Sequence, residues 1–134
     1  MAANNWRGTI NSNWNNASNW SLSAVPTAND GNTATFDGSS PACTVNAASL
    51  VANNIDFTNY TSTITMTNGL TISGNITLGA SMAVSGSGSL GWNNTGSYTS
   101  NGFNWPNLLS ISVASKTFTI CLLYTSDAAD EGLG

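Results

Sequence analysis

Between Ile64 and Val84 the chain reads "ITMTNGLTISGNITLGASMAV", and its apolar residues come in pairs with one residue between. Ile64 and Met66, Leu70 and Ile72, Ile76 and Leu78, and Met82 and Val84 recur at every sixth position. Alternation at period two is the signal of a strand with one buried face, and the Thr between the partners suits the outer face of a sheet. The same texture runs from Thr44 to Ile120. Ile55 and Phe57 share a face ahead of the hexads, and "LLSISVASKTFTI" alternates through Leu109, Ile111, Val113, Phe118 and Ile120. No segment offers a helical stripe longer than one turn, so the pattern predicts an all-β protein.

A six-residue beat narrows the architecture further. In a hairpin meander each hexad would be a three-residue strand plus a turn, and such strands make too few ladder bonds to hold as antiparallel pairs. In a parallel β-solenoid (β-helix) the short strands are the sides of a coil and the Gly, Asn and Ser between them turn its corners. Each strand then pairs with its equivalent in the next coil about 4.8 Å away. Three hexads per coil would place Met82 and Val84 above Ile64 and Met66. Ile64, Leu70, Ile72, Ile76, Leu78 and Met82 are expected inward, and Thr65, Thr71 and Thr77 outward. Spacing is less regular outside the hexads, so a β-sandwich stays open as the alternative.

Residues 1 to 40 have a different texture, with Trp6, Trp14 and Trp20 set among Asn and Ser, followed by "VPTANDGNTATFDG" with its turn-formers Pro26, Asp30, Gly31 and Gly38. An uncapped solenoid end exposes both apolar core and unpaired strand edge, and large aromatics close such an end. The division expected is therefore a Trp-rich cap over residues 1–40 and a solenoid over 41–120. The other reading of Trp6, Trp14 and Trp20 is a platform on which sugar rings stack.

Composition removes several functions. Charged residues are 6% of the 134, against about 25% in an ordinary globular protein, and Asn, Ser, Thr and Gly make up about half of the chain. Arg7 and Lys116 are the only cations, so no basic patch exists to meet phosphate, and nucleic acid is not an expected partner. There is no run of 18 apolar residues to cross a membrane as a helix, and "MAANNWRGTINS" has no apolar stretch of the kind a signal peptide needs.

Residues 121–134, "CLLYTSDAADEGLG", break the beat and hold Asp127, Asp130 and Glu131. Cys121 to Glu131 resembles the in-frame translation of a sequencing adapter. On that reading the tail is not native, the natural chain continues past Ile120, and deleting the tail leaves stability unchanged. Asp30, Asp37 and Asp56 are then the only acids, and Cys43 has no native partner for a disulfide with Cys121.

A second resemblance covers nearly all of residues 4 to 120. Trp6 with Gly8, Trp14, Asn19-Trp20-Ser21, Val25-Pro26 with Asp30, and Phe36-Asp37 are similar to the opening of a family of phage-associated and environmental β-solenoid proteins, related to secreted bacterial surface solenoids. Cys43 followed by "IDFT" at 55 to 58, and "TSNGFNWPNLLSI" at 99 to 111, resemble later parts of the same proteins. The resemblance implies a structural protein of a phage virion or appendage, such as a tail fibre or decoration protein. It also implies other virion or surface proteins as partners, with homotrimers as one assembly. Its alternative is a carbohydrate-binding or adhesive domain of a secreted bacterial surface protein, with host glycans as ligands.

The available chemistry points away from an enzyme. The chain has no His, which removes the usual general base, the nucleophile-His arrangements and His-ligated zinc. Hydrolysis of polysaccharides on a solenoid needs at least two facing carboxylates. Asp30 and Asp37 read as turn residues bonding their own backbone, and Asp56 as an outward strand residue. Calcium on Asn29, Asp30, Asn32 and Asp37 would have oxygen ligands, but neither EF-hand nor nonapeptide spacing is present. No catalytic residue, metal or cofactor is expected. Cys43 is expected to be a small buried apolar residue beside Val45. The Asn-x-Ser/Thr sequons at Asn16, Asn19, Asn59, Asn75 and Asn93 follow from composition.

Overall fold

Residues 2 to 111 and 117 to 121 are described in the computed structural model. Their short strands repeat in a fixed order of three sides. The first side holds Ala3–Asn5 (β1), Thr33–Thr35 (β2), Asn54–Asp56 (β5), Ile76–Thr77 (β8), Gly96–Thr99 (β11) and Phe118–Cys121 (β13). Cys43–Thr44 (β3), Thr63–Met66 (β6) and Ala83–Gly86 (β9) form the second. The third is Leu50–Ala52 (β4), Leu70–Ile72 (β7), Leu90–Trp92 (β10) and Leu109–Ile111 (β12). Every strand pair is parallel, and the chain winds through about four turns. This is a β-solenoid. A sandwich would need antiparallel sheets, and none of the three sheets contains an antiparallel pair. The one helical element among the described residues is a single 3-10 turn at Ala17–Asn19.

Inward rows make one continuous core. On the third side Leu50, Leu70 and Leu90 stack at steps of twenty residues. On the first, Ala34, Ile55, Ile76 and Tyr98 stack at steps of twenty-one or twenty-two. Ile64, Met66, Leu70, Ile72, Ile76, Leu78 and Met82 are all buried, as their alternation requires. Thr65, Thr71 and Thr77 point the other way and are half-buried rather than fully exposed.

The register differs from three equal hexads. Ile64 pairs with Val84 and Met66 with Gly86, so Met82 does not lie over Ile64. Six residues do separate Ile64 from Leu70 and Leu70 from Ile76, but eight separate Ile76 from Val84. The extra two lie in the corner between first and second sides, where Leu78 extends the ladder through its N–H to the Thr99 carbonyl and a turn returns from Gly79 to Met82. Met82 belongs to this corner, with its Sδ accepting from the Gly79 N–H at 3.5 Å. The equivalent corners of earlier coils carry Asp37 to Ser40 and Phe57 to Tyr60, each closed by its own backbone turn.

Asparagine explains much of how coils are tied at the corners. Asn68 Nδ2 donates to the Val45 carbonyl at 3.1 Å, Asn101 Nδ2 to that of Leu78 at 2.8 Å, and Asn107 Nδ2 to those of Gly86 and Gly88 at 3.0 Å. A corner carbonyl that cannot join a strand ladder is thus satisfied by the coil above it, which a buried backbone group requires.

The N-terminal segment is both cap and coil. β1 lies in the same six-stranded sheet as β2 and β5, and Asn13 bridges Thr44 on the second side, so residues 3 to 14 begin the winding. The boundary expected at residue 40 is therefore not a structural division. Val113 and Lys116, and the tail from Leu122 to Gly134, lie outside the described residues. Cys121 ends β13, so that strand enters the tail segment by one residue.

Candidate functional site

The two ends of the solenoid are built differently, and its chemistry is best read from there. At the N-terminal end Trp6 follows β1 directly and extends its ladder through its N–H to the Thr35 carbonyl. Trp14 does the same on the second side through the Thr44 carbonyl. The 3-10 turn at Ala17–Asn19, capped by the Asn16 side chain on the Ser18 N–H, swings Trp20 back between them. The three rings meet edge to face, Trp20 at 5.1 Å from Trp6 and 4.8 Å from Trp14, and all three cover Phe36 at centroid distances of 5.8 to 6.2 Å. Phe36 continues the aromatic column to Phe57 and Tyr60.

Asn19 holds this cluster from within. Its Oδ1 accepts from the Ile10 and Asn11 N–H groups, and its Nδ2 donates to Asn11 Oδ1 and the Asn13 carbonyl. Its own carbonyl accepts from Arg7 and Gly8. Residue 19 is fully buried with its polar atoms engaged. The sequon reading of Asn19 has no accessible amide to act on. Nothing in an Asn-rich sequence distinguishes it, since Asn15 and Asn16 share its place between Trp14 and Trp20 and Asn5, Asn13 and Asn104 also directly precede a tryptophan.

Trp6, Trp14 and Trp20 lie together in one cluster. Their exposures of 0%, 0% and 3% leave no ring face open, so a sugar cannot stack on them as they stand. Trp92 and Trp105, with Tyr60 and Tyr98, are buried as well.

The acids do not converge. Asp30 accepts from the Thr27 and Asn32 N–H groups. Asp37 accepts from the N–H and hydroxyl of Ser39 and the hydroxyl of Ser40, and lies 3.7 Å from Arg7. The Ser39 hydroxyl bond, then the Ser39 N–H, with a smaller contribution from Arg7, hold its carboxyl below the usual value against the opposing effect of burial. Asp56 stands on the outer row between Thr35 and Thr77 and accepts from the Thr58 N–H and hydroxyl. Each carboxylate is thus occupied by its own turn. No group of three His, Cys, Asp or Glu able to hold a metal ion occurs among the described residues. Cys43 is a free, buried thiol whose ionisation is pushed up by burial, and Cys121 is free and exposed. A raised thiol makes a poor nucleophile.

A shallow depression of about 370 Å³ lies on the third side around Gly91, walled by Thr71, Ser89, Asn93 and Ser110. It offers hydroxyl and amide groups and no ionisable side chain, so it can hydrogen-bond a polar ligand but supplies no acid or base. Sequence reasoning missed it because it is an absence of side chain at Gly69 and Gly91 seen only once the coils are stacked.

Among the described residues the far end carries no counterpart of the tryptophan cap. β12 and β13 are the last strands of their sheets among the described residues. Leu108, Leu109, Ile111 and Ile120 there are exposed, as are Ile10 and Leu22 elsewhere among the described residues.

No family model matches the chain, and no curated protein and no solved structure matches it.

Proposed function

We infer that the chain is a non-enzymatic structural module, and that it serves in a phage virion or appendage. The observation that carries the structural part is the single continuous core of the parallel coils, sealed at the N-terminal end by three buried tryptophans. The spent carboxylates support the non-enzymatic part, since a hydrolase needs a carboxylate free to give or take a proton. The virion setting is supported by the resemblance of Trp6 to Asp37, Cys43 to Thr58, and Thr99 to Ile111 to phage-associated solenoid proteins.

The second reading, a carbohydrate-binding or adhesive domain of a secreted surface protein, is favoured by one feature, the hydroxyl-walled depression at Gly91. The gene's locus and a glycan array separate the two. Tail and capsid genes beside it and a blank array are expected. A secretion signal on the full reading frame, with a glycan bound and then lost on Gly91→Phe, would replace the first reading with the second.

A further inference from the structure

Of the twenty asparagines, Asn68 and Asn101 are the two followed directly by glycine. Both stand at corners of the coil, half-buried, with Gly69 and Gly102 exposed beside them. Neither glycine belongs to a strand, and neither backbone N–H finds an acceptor among the described residues. At the second of these corners the Phe103 N–H donates to the Ser100 carbonyl at 2.9 Å, closing a turn in which Asn101 and Gly102 have φ of +49° and +85°.

Both side-chain amides are in use. Asn68 Nδ2 donates to the Val45 carbonyl and to Thr67 Oγ1, and that carbonyl also accepts from the Thr67 hydroxyl. Asn101 Nδ2 donates to the carbonyl of buried Leu78, whose oxygen has no other donor among the described residues. Asn107 makes the same kind of tie, to Gly86 and Gly88, but is followed by Leu108.

A backbone N–H that follows an asparagine can attack the side-chain carbonyl, and a glycine, having no Cβ, lets the two approach most closely. The new bond joins the glycine N to the asparagine Cγ. The Cγ–Nδ2 bond breaks, and Nδ2 leaves as ammonia, taking up the proton that the glycine N gives up. Water then opens the cyclic imide. Opening at Cγ leaves an aspartate, and opening at the asparagine's own backbone carbonyl carbon leaves an isoaspartate, whose chain runs on through Cβ and Cγ. Water is consumed, ammonia is released, and no oxidant or reductant takes part. Either product replaces the amide donor by a carboxylate, which accepts hydrogen bonds and donates none.

We propose that Asn68 and Asn101 are self-modifying sites, each losing ammonia to the glycine that follows and so cutting its own tie to the coil below. The tie to Leu78 is the one whose loss loosens the coils, because Val45 keeps the Thr67 hydroxyl while Leu78 is left with no donor. Asn107 keeps its amide, since the Leu108 side chain shields the N–H behind it. The reaction needs only water, so it proceeds whether the module serves in a virion or on a cell surface.

The full chain, held folded at about pH 8 in water enriched in heavy oxygen, tests this, with peptide mass spectrometry reading where the label enters. Label should enter at Asn68 and Asn101, as aspartate and isoaspartate, while Asn107 stays unlabelled, and the melting temperature should fall as conversion at Asn101 rises. Gly69→Ala, whose Cβ would lie 3.1 Å from the rotatable Ser89 Oγ, should stop labelling at Asn68 and leave Asn101 unaffected. Asn101→Asp should melt lower than wild type by at least about 2 °C without any incubation. An Asn68 or Asn101 that stays unlabelled, an Asn107 labelled as fast as either, a folded Gly69→Ala chain that labels at Asn68 at the wild-type rate, or an Asn101→Asp chain that melts like wild type each overturns the proposal. The wild-type comparison of Asn68 and Asn101 with Asn107 needs no variant, so a Gly69→Ala chain that fails to fold leaves the test intact.

Discussion

The indole N–H of Trp20 donates to the backbone carbonyl of Trp14 at 2.9 Å, across a T-shaped contact whose ring centroids are 4.8 Å apart. Trp6 is anchored in the same manner, its Nε1 donating to the carbonyls of Pro41 at 3.1 Å and Ala42 at 3.3 Å. Trp14 is the exception, since its buried Nε1 finds no acceptor among the described residues.

That difference separates three chemically identical substitutions. Trp→Phe removes similar volume at each site, but at Trp20 it also leaves the carbonyl of buried Trp14 without its donor, whereas at Trp6 it takes a donor from the carbonyls of exposed Pro41 and Ala42, and the Pro41 oxygen keeps the Tyr60 hydroxyl. The cost of such an unmade bond is about 1 to 3 kcal/mol, whereas Trp14→Phe removes an N–H that was itself unpaired. Trp20→Phe should therefore be less stable in urea than Trp14→Phe by at least about 1 kcal/mol, with Trp6→Phe between the two. Equal losses at all three positions would mean that ring volume alone holds the cap.

The hexads were legible because the corners between β6, β7 and β8 are short and equal, so the spacing of Ile64, Leu70 and Ile76 displays the coil directly. The Gly79 to Met82 corner is longer, and Met82 fills it from a position that continues the beat, which is why equal hexads misplace it over Ile64. The uncovered end was hidden for a related reason. Leu109, Ile111 and Ile120 alternate like core residues, and alternation reports which way a side chain points but not whether another coil lies above it. The buried role of Asn19 was masked by twenty asparagines in the chain.

Inward and outward positions should differ sharply in mutational cost. Ile64, Ile72 and Ile76 have no exposed surface, and each cut to Ala should lose about 2 to 5 kcal/mol. Thr65→Ala and Thr71→Ala should stay within about 1 kcal/mol, because each is half-buried and neither is known to carry an internal side-chain bond. Thermal melts of the five variants decide this, and Thr variants as damaging as the Ile series would show that the outer face is covered in solution.

Two glycines in left-handed backbone isolate the effect of coil contact. Gly31 has φ +72° with nothing within 4 Å of an added Cβ, while Gly86 has φ +80° and would bring a Cβ to 2.5 Å from the Met66 carbonyl oxygen. Gly31→Ala should cost only the conformational penalty, about 1 to 2 kcal/mol. Gly86→Ala must also push apart β6 and β9, adding about 1 to 3 kcal/mol. A Gly86→Ala protein as stable as Gly31→Ala would place the second-side coils farther apart than the structure has them.

Stability should fail on the alkaline side long before it fails on the acid side. Burial raises the ionisation of the Cys43 thiol well above its ordinary value of 9.0, and that of the Tyr60 and Tyr98 hydroxyls above 10.0. For a group whose folded value is raised, the folded state keeps its proton longer than the unfolded chain does. Stability is then complete below the unfolded value and is lost as pH rises beyond it. Asp37 has the opposite sign: its lowered value stabilises above 3.8 and the benefit disappears as pH falls through the folded value. Its carboxylate is more than one-third exposed, so solvent screening keeps that contribution small. The melting temperature should therefore hold nearly level from about pH 5 to 8, dip slightly below about pH 4, and fall steeply above about pH 9. Tyr60→Phe should lower the neutral plateau, because the hydroxyl bonds the Pro41 and Thr63 carbonyls at 2.8 and 2.9 Å, and yet make the alkaline fall shallower. Cys43→Ala should also flatten that limb, by removing the group that begins to ionise first in the unfolded chain. An alkaline limb that keeps its wild-type slope in both variants would show that these buried groups are not what the rising pH acts on.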